Sequence, residues 1–175
     1  EDELARLVSM ADARGGFIRS PLKTPSGGER LEGDGRRTSS SCPMLWPVAY
    51  GHRRAELAER SPTMVAELDL TTSVSRRAAA LFTATGMPLE MEQIEPLQLV
   101  RYQPGELFSP HHDYHETAES SVQGEQRMFT VLIFGATLGA DDGGRTNFPH
   151  LDISVAPRAG DALIWMYAPA ALARV

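Results

Sequence analysis

"LQLVRYQPGELFSPHHDYH", Leu97 to His115, begins as an alternating pattern and ends in a cluster of ionisable side chains. Leu97, Leu99 and Arg101 alternate with Gln98, Val100 and Tyr102, the period of two expected of a strand with two unlike faces. Beyond it, one residue separates His111 from Asp113. On an extended backbone both side chains leave the same face, and His112 leaves the other.

Outward from this stretch the period changes only once. Downstream, "MFTVLIF" (Met128 to Phe134), "DISVAP" (Asp152 to Pro157) and "DALIWMY" (Asp161 to Tyr167) are short β-rich runs. Turn residues separate them, at Asp141-Asp142-Gly143-Gly144 and from Pro157 to Gly160. Upstream, Leu4, Leu7, Val8 and Ala11 recur at helical spacing and stop at Gly15-Gly16. A second helix is predicted from about Thr63 to Thr85, with Val65, Leu68, Ala79 and Phe82 inward and Gly86 and Pro88 closing it. Between the helices, Thr24 to Ser41 is rich in Gly, Ser, Thr and charge without periodicity and reads as a mobile loop. Helices followed by closely spaced strands predict an α+β or mainly β fold, with antiparallel sheets backed by N-terminal helices. No internal repeat is visible.

The 175 residues, 42% of them hydrophobic, can bury one core, so residues 1–175 are expected to form a single domain. Helical support would occupy about 1–90 and the strand core about 94–175. A net charge of -6 argues against nucleic acid or an anionic membrane surface as partner, and Arg36-Arg37 and Arg53-Arg54 are too short to change that. Cys42 is the single cysteine, so there is neither an intrachain disulfide nor a cysteine zinc cage. No apolar run of about 18 residues occurs, so no membrane segment is expected in this chain. The helical pattern starts at Glu1 itself, as it would in part of a longer protein.

His111 and Asp113 on one face offer an imidazole nitrogen and a carboxylate oxygen, two of the three protein ligands in the facial triad of non-haem Fe(II) oxygenases. A solvated turn accounts for a His-x-Asp pair just as simply. His115 fits either the shared face or the polar loop after it. Context decides between them. Arg101, Tyr102, Gly105, Glu106, Phe108, His111 and Asp113 are in register with the metal-binding region of the prolyl 4-hydroxylase family of Fe(II)/2-oxoglutarate dioxygenases, which this stretch resembles. Three further stretches are similar to that family in the same order. Arg127, Thr130, Gly143, Gly144, Thr146, Phe148 and Pro149 match its Arg-x-x-Thr strand and Gly-Gly turn, and "VAPRAGDALIW" from Val155 to Trp165 matches a later strand. "RRTSSS" from Arg36 to Ser41 is similar to the loop that closes over peptide substrate.

The resemblance implies a double-stranded β-helix, or jelly roll, with supporting helices. It also implies Fe(II), 2-oxoglutarate as co-substrate, ascorbate, and hydroxylation of a proline-containing peptide or protein coupled to conversion of 2-oxoglutarate to succinate and CO₂. Carried over by position, His111 and Asp113 match the catalytic iron ligands. Tyr102 and Thr146 match hydroxyls that contact the co-substrate carboxylate, and Arg37, Thr38, Ser39, Phe108 and Arg127 match substrate-side positions. An endoplasmic reticulum or secretory location, and a place in a larger complex, follow from the resemblance alone.

Two departures stand out. Arg145 occupies a position where the family has Glu. More seriously, the family's third iron ligand is a later His followed by Lys or Arg, whereas here "APAALARV" follows Tyr167, no His comes after His150, and Arg174 falls too early for the basic partner. The sequence therefore predicts either a chain incomplete at both ends or a catalytically inactive relative. An oxygenase acting on another substrate is a third reading.

Overall fold

Alternating and helical patterns become separate elements in the computed structural model, which describes residues 2–23, 29–30, 35–83, 86–114 and 127–167. The chain divides into two compact units. One comprises Asp2–Ile18 and Ser40–Arg101; the other comprises the described residues of Arg19–Ser39 and Tyr102–Val175.

The first unit is mostly helical. α1 (Asp2–Ala13) carries Asp2 and Glu3 in its first turn, where the helix dipole favours negative charge, and buries Leu7 and Ala11. It ends as the sequence predicts: Gly15 takes a φ of +60°, and the Gly16 amide reaches back to the Ala11 carbonyl at 2.9 Å. Two short helices, α2 (Pro47–Tyr50) and α3 (Arg54–Arg60), precede the long α4 (Pro62–Thr83). Proline at the first position and the Ser61 hydroxyl, which accepts from the Met64 amide at 3.3 Å, start α4. Gly86, at a φ of +79°, and the Met87 amide bonded to the Phe82 carbonyl close it.

Two strands complete this unit. β4 (Ser40–Pro43) pairs antiparallel with β5 (Gln98–Arg101), and the register sets Cys42 opposite Leu99. Both are buried with Leu7, Ala11, Met44 and Leu70 in the core. At about 1.5–3 kcal/mol for each fully buried Leu or Met, this small cluster anchors α1 on α4 and β4.

The second unit is made of antiparallel strand pairs. β1 (Ile18–Arg19), β2 (Leu22–Lys23) and β3 (Glu29–Arg30) are two residues each; β1 falls where the chain passes between the units, and β2 and β3 pair with each other. β6 (Phe129–Ile133) pairs antiparallel with β9 (Ala162–Met166), and β7 (Thr146–Phe148) with β8 (Ile153–Val155). Phe148 and Trp165 meet edge to face with centroids 5.5 Å apart, which joins the two pairs. The described chain is thus α+β, with helices and several small antiparallel sheets, none of them closed.

The expectation of a mobile loop from Thr24 to Ser41 needs correction in its described parts. Residues 29–30 and 40–41 lie in β3 and β4. The Thr38 amide bonds to the Leu107 carbonyl, the Ser109 amide to the Arg36 carbonyl, and Arg37 bridges Phe108. The backbone groups of this polar stretch find partners about 70 residues away, which no local pattern announces. Residues 24–28 and 31–34 lie outside the described residues. None of the described helices is long and apolar enough to cross a membrane.

A candidate metal centre at His111 and Asp113

Ser109 precedes Pro110, so its backbone is held extended, and its amide is already bonded to the Arg36 carbonyl at 2.7 Å. Its own carbonyl oxygen lies 2.7 Å from Nδ1 of His111. Because a carbonyl only accepts, that contact places a proton on Nδ1 and leaves Nε2 to face away from it. Nε2 in turn lies 3.1 Å from Oδ1 of Asp113. With a proton on Nε2 this contact is a hydrogen bond to the carboxylate; a neutral ring with its lone pair there can instead share a cation with Oδ1. Donors about 2.1 Å from a cation and at right angles to each other lie about 3.0 Å apart, so the pair has the spacing of two adjacent corners of an octahedral site.

The residues from Ser109 to Asp113 pair in no ladder among the described residues, so the expected strand is absent here. The two side chains nevertheless converge. His112 turns instead toward Tyr114, at 4.9 Å between ring centroids.

The second carboxylate oxygen is engaged from the β6/β9 ladder. Asp113 Oδ2 lies 2.9 Å from the Thr130 hydroxyl and 2.5 Å from the Tyr167 hydroxyl, and the two hydroxyls also lie against each other, so two protons are shared among three contacts. Arg127 donates to the Asp113 backbone carbonyl at 3.3 Å. Burial acts to raise the Asp113 pKa, but hydrogen bonds from His111, Tyr167 and Thr130 outweigh it and bring it down to about 2. Burial acts to lower that of His111, and the bonds to Asp113 and the Ser109 carbonyl outweigh it, so the imidazole's pKa is raised. For Tyr167, burial and the Asp113 hydrogen bond both push the phenol upward, which keeps its proton available for donation.

An aromatic and cationic wall stands beside the pair. Phe108 stacks on His111, and the Arg37 guanidinium lies over the Phe108 ring. Arg37 also donates to the hydroxyl of buried Ser39, whose own proton goes to Ser20 at 2.9 Å. Thr38 exchanges hydrogen bonds with the backbone of Leu107. Burial lowers the Arg37 pKa against the pull of Tyr102 and Asp113, which places all three within electrostatic reach. Tyr102 stands 47% exposed beyond the end of β5. Thr146 is half-buried opposite Val155 at the start of β7. Among the described residues no hydrogen bond joins Tyr102 to Thr146.

Sequence reasoning gave no role to Thr130 or Tyr167. Thr130 belongs to a quoted motif. Tyr167 ends an apolar strand and carries no motif signal; its only distinguishing mark is a phenol where the alternating strand stops. His150 lies exposed in a 3₁₀ turn, and His115 lies outside the described residues. No group of three or more His, Cys, Asp or Glu suited to a metal ion occurs among the described residues. His111 and Asp113 bring together two side chains able to ligate a metal, and no third His, Cys, Asp or Glu joins them in a metal-binding group among the described residues.

No family model matches the chain. It is similar, over part of its length, to several prolyl 4-hydroxylases. A putative prolyl 4-hydroxylase of Acanthamoeba polyphaga mimivirus is 37% identical over 79 residues, covering 42% of this chain and 32% of that protein. The probable prolyl 4-hydroxylase 3 of Arabidopsis thaliana is 32% identical over 95 residues, covering 43% and 32%. Prolyl 4-hydroxylase 1 of the same plant is 34% identical over 88 residues, covering 42% and 30%. The matched region spans about a third of these relatives. The similarity supports a prolyl 4-hydroxylase-like family.

Proposed function

We propose that this chain belongs to an Fe(II)/2-oxoglutarate-dependent dioxygenase that hydroxylates peptidyl proline. The observation that carries the reading is the convergence of two potential ligand atoms, His111 Nε2 and Asp113 Oδ1, to 3.1 Å, with the imidazole turned by the Ser109 carbonyl. The similarity to prolyl 4-hydroxylases supports it. On this reading the small antiparallel sheets are parts of a jelly roll.

Iron with 2-oxoglutarate would supply the oxidising power, and ascorbate would serve as reductant. The chain's own residues bind and orient. His111 and Asp113 would hold the metal. Tyr102 and Thr146 would donate hydroxyl protons to the co-substrate carboxylate, which suits neutral donors facing an anion. Phe108 and Arg37 would form one wall of a peptide groove, and Arg127 would steady the Asp113 backbone while lying near the peptide. The Thr38 and Ser39 hydroxyls are engaged by Leu107 and Ser20, so these residues would shape the groove instead of donating to the peptide.

A second reading, an inactive binding subunit, is favoured by the presence of only two converging metal-ligating side chains among the described residues. One experiment separates the two. The protein is incubated with Fe(II), 2-oxoglutarate, ascorbate and a proline-rich peptide, and succinate and hydroxyproline are measured. Turnover that His111→Ala abolishes supports the enzyme. No succinate, with Fe(II) binding equal to that of His111→Ala, overturns it.

A further inference from the structure

A carboxylate that ligates a cation must choose between one oxygen and two, and the surroundings of Asp113 make that choice. Oδ1 faces His111 Nε2, whereas Oδ2 receives the hydroxyls of Thr130 and Tyr167. We propose that Tyr167, together with Thr130, is a positioning pair that occupies Oδ2 and so presents Asp113 to the metal through Oδ1 alone. The inference rests on the metal-site reading given above.

Both hydroxyls stand on a fixed frame. Thr130 lies in β6 opposite Trp165 of β9, and the Tyr167 amide extends that ladder by donating to the Met128 carbonyl at 2.9 Å. The Tyr167 ring meets Tyr114 edge to face at 6.3 Å. A hydroxyl-to-carboxylate bond is charge-assisted, and two hydroxyls at hydrogen-bonding distance occupy Oδ2 on the side they approach. Without them the carboxylate can turn about its terminal torsion or close on a metal with both oxygens, taking up a coordination position that the co-substrate needs. Outer partners of this type hold a ligand's orientation and are worth about ten- to a hundredfold in metal affinity.

The test uses Co(II) as probe, without co-substrate, on the wild-type protein and on Tyr167→Phe, Thr130→Val, Thr130→Ser and His111→Ala. Affinity is read by titration, and coordination by the visible spectrum of the saturated protein. The expected result is wild-type binding that His111→Ala removes, affinity about tenfold weaker in Tyr167→Phe and in Thr130→Val with an altered Co(II) spectrum, and wild-type values restored in Thr130→Ser. A merely structural role would lower stability without changing the spectrum of the folded, saturated protein. Should Tyr167→Phe fail to fold, the Thr130→Val and Thr130→Ser pair decides. Wild-type affinity and spectrum in Tyr167→Phe and Thr130→Val, with binding still lost in His111→Ala, would overturn the positioning pair and leave the metal site standing. Absence of any His111-dependent binding would overturn both.

Discussion

The rings of Phe108 and His111 lie 16° from parallel with centroids 3.6 Å apart, and the Arg37 guanidinium sits 4.5 Å from the Phe108 centroid. The imidazole is therefore oriented twice, by its Nδ1 bond to the Ser109 carbonyl and by this stack. Replacing Phe108 with Leu keeps the apolar bulk but removes both ring interactions, at an expected cost of about 1–2 kcal/mol in denaturant unfolding. In a cycle with Arg37→Met, a coupling of about 0.5–1 kcal/mol is expected between the two positions. Strict additivity would show that the guanidinium contributes nothing through the ring.

In the first unit the buried carboxylate of Glu67 joins two segments. It accepts from Arg14 at 2.6 Å and from the Leu45 amide at 2.8 Å, with its side chain 3% exposed and that of Arg14 38%. Glu67→Ala leaves that amide without its acceptor and a half-exposed guanidinium without its anion. Because water partly screens Arg14, the expected loss is about 2–3 kcal/mol, below the range for a fully buried pair. Glu67→Gln keeps an acceptor for Leu45 and is expected to cost about half as much, since only the charge is lost. Equal losses in thermal unfolding would place the whole effect on the ion pair.

Two glycines separate backbone strain from crowding. Gly105 and Gly144 both hold left-handed backbone, at φ of +84° and +66°, but a Cβ at Gly105 would meet nothing within 4 Å, whereas one at Gly144 would come within 2.5 Å of a Leu138 methyl. Gly105→Ala is expected to cost about 1 kcal/mol, the price of the conformation alone. Gly144→Ala adds displacement of Leu138 and is expected to cost about 1 kcal/mol more. Unfolding curves in which the two variants coincide would mean that Leu138 moves aside freely.

The elements that could be anticipated were those whose signals are local. α4 announces itself by period and the glycine at its end, and β6 and β9 by short, mostly apolar runs. The period-two reading set His111 and Asp113 on one face of a strand; the side chains converge, but the segment joins no ladder and that strand is absent among the described residues. The short helices α2 and α3 were missed because four and seven residues carry too little periodicity to register. The pairing of Arg36–Thr38 with Leu107–Ser109 escaped notice because it is satisfied by backbone groups, which leave no trace in side-chain pattern. Tyr167 escaped for another reason: it lies 54 residues from Asp113, and a hydroxyl at the end of an apolar strand looks the same whether it meets solvent or a carboxylate.

Co-substrate binding provides the last prediction, because it distinguishes oxygenase chemistry from metal binding alone. Tyr102 stands beyond the last residue of β5, 47% exposed and within electrostatic reach of Arg37, so its hydroxyl is free to meet a ligand without disturbing the core. Tyr102→Phe removes one donor to a charged carboxylate, worth about 1.5–3 kcal/mol, and should raise the 2-oxoglutarate concentration needed for half-maximal turnover by roughly ten- to a hundredfold. Thr146→Val, which swaps a hydroxyl for a methyl at nearly constant volume, should act in the same direction. Neither change touches His111 or Asp113, so Co(II) affinity measured without co-substrate should remain that of the wild type. A Tyr102→Phe protein whose 2-oxoglutarate requirement is unchanged would remove Tyr102 from the co-substrate site. One that loses Co(II) affinity as well would show that Tyr102 acts on the metal pair, through the Arg37 and Phe108 wall, and not on the co-substrate.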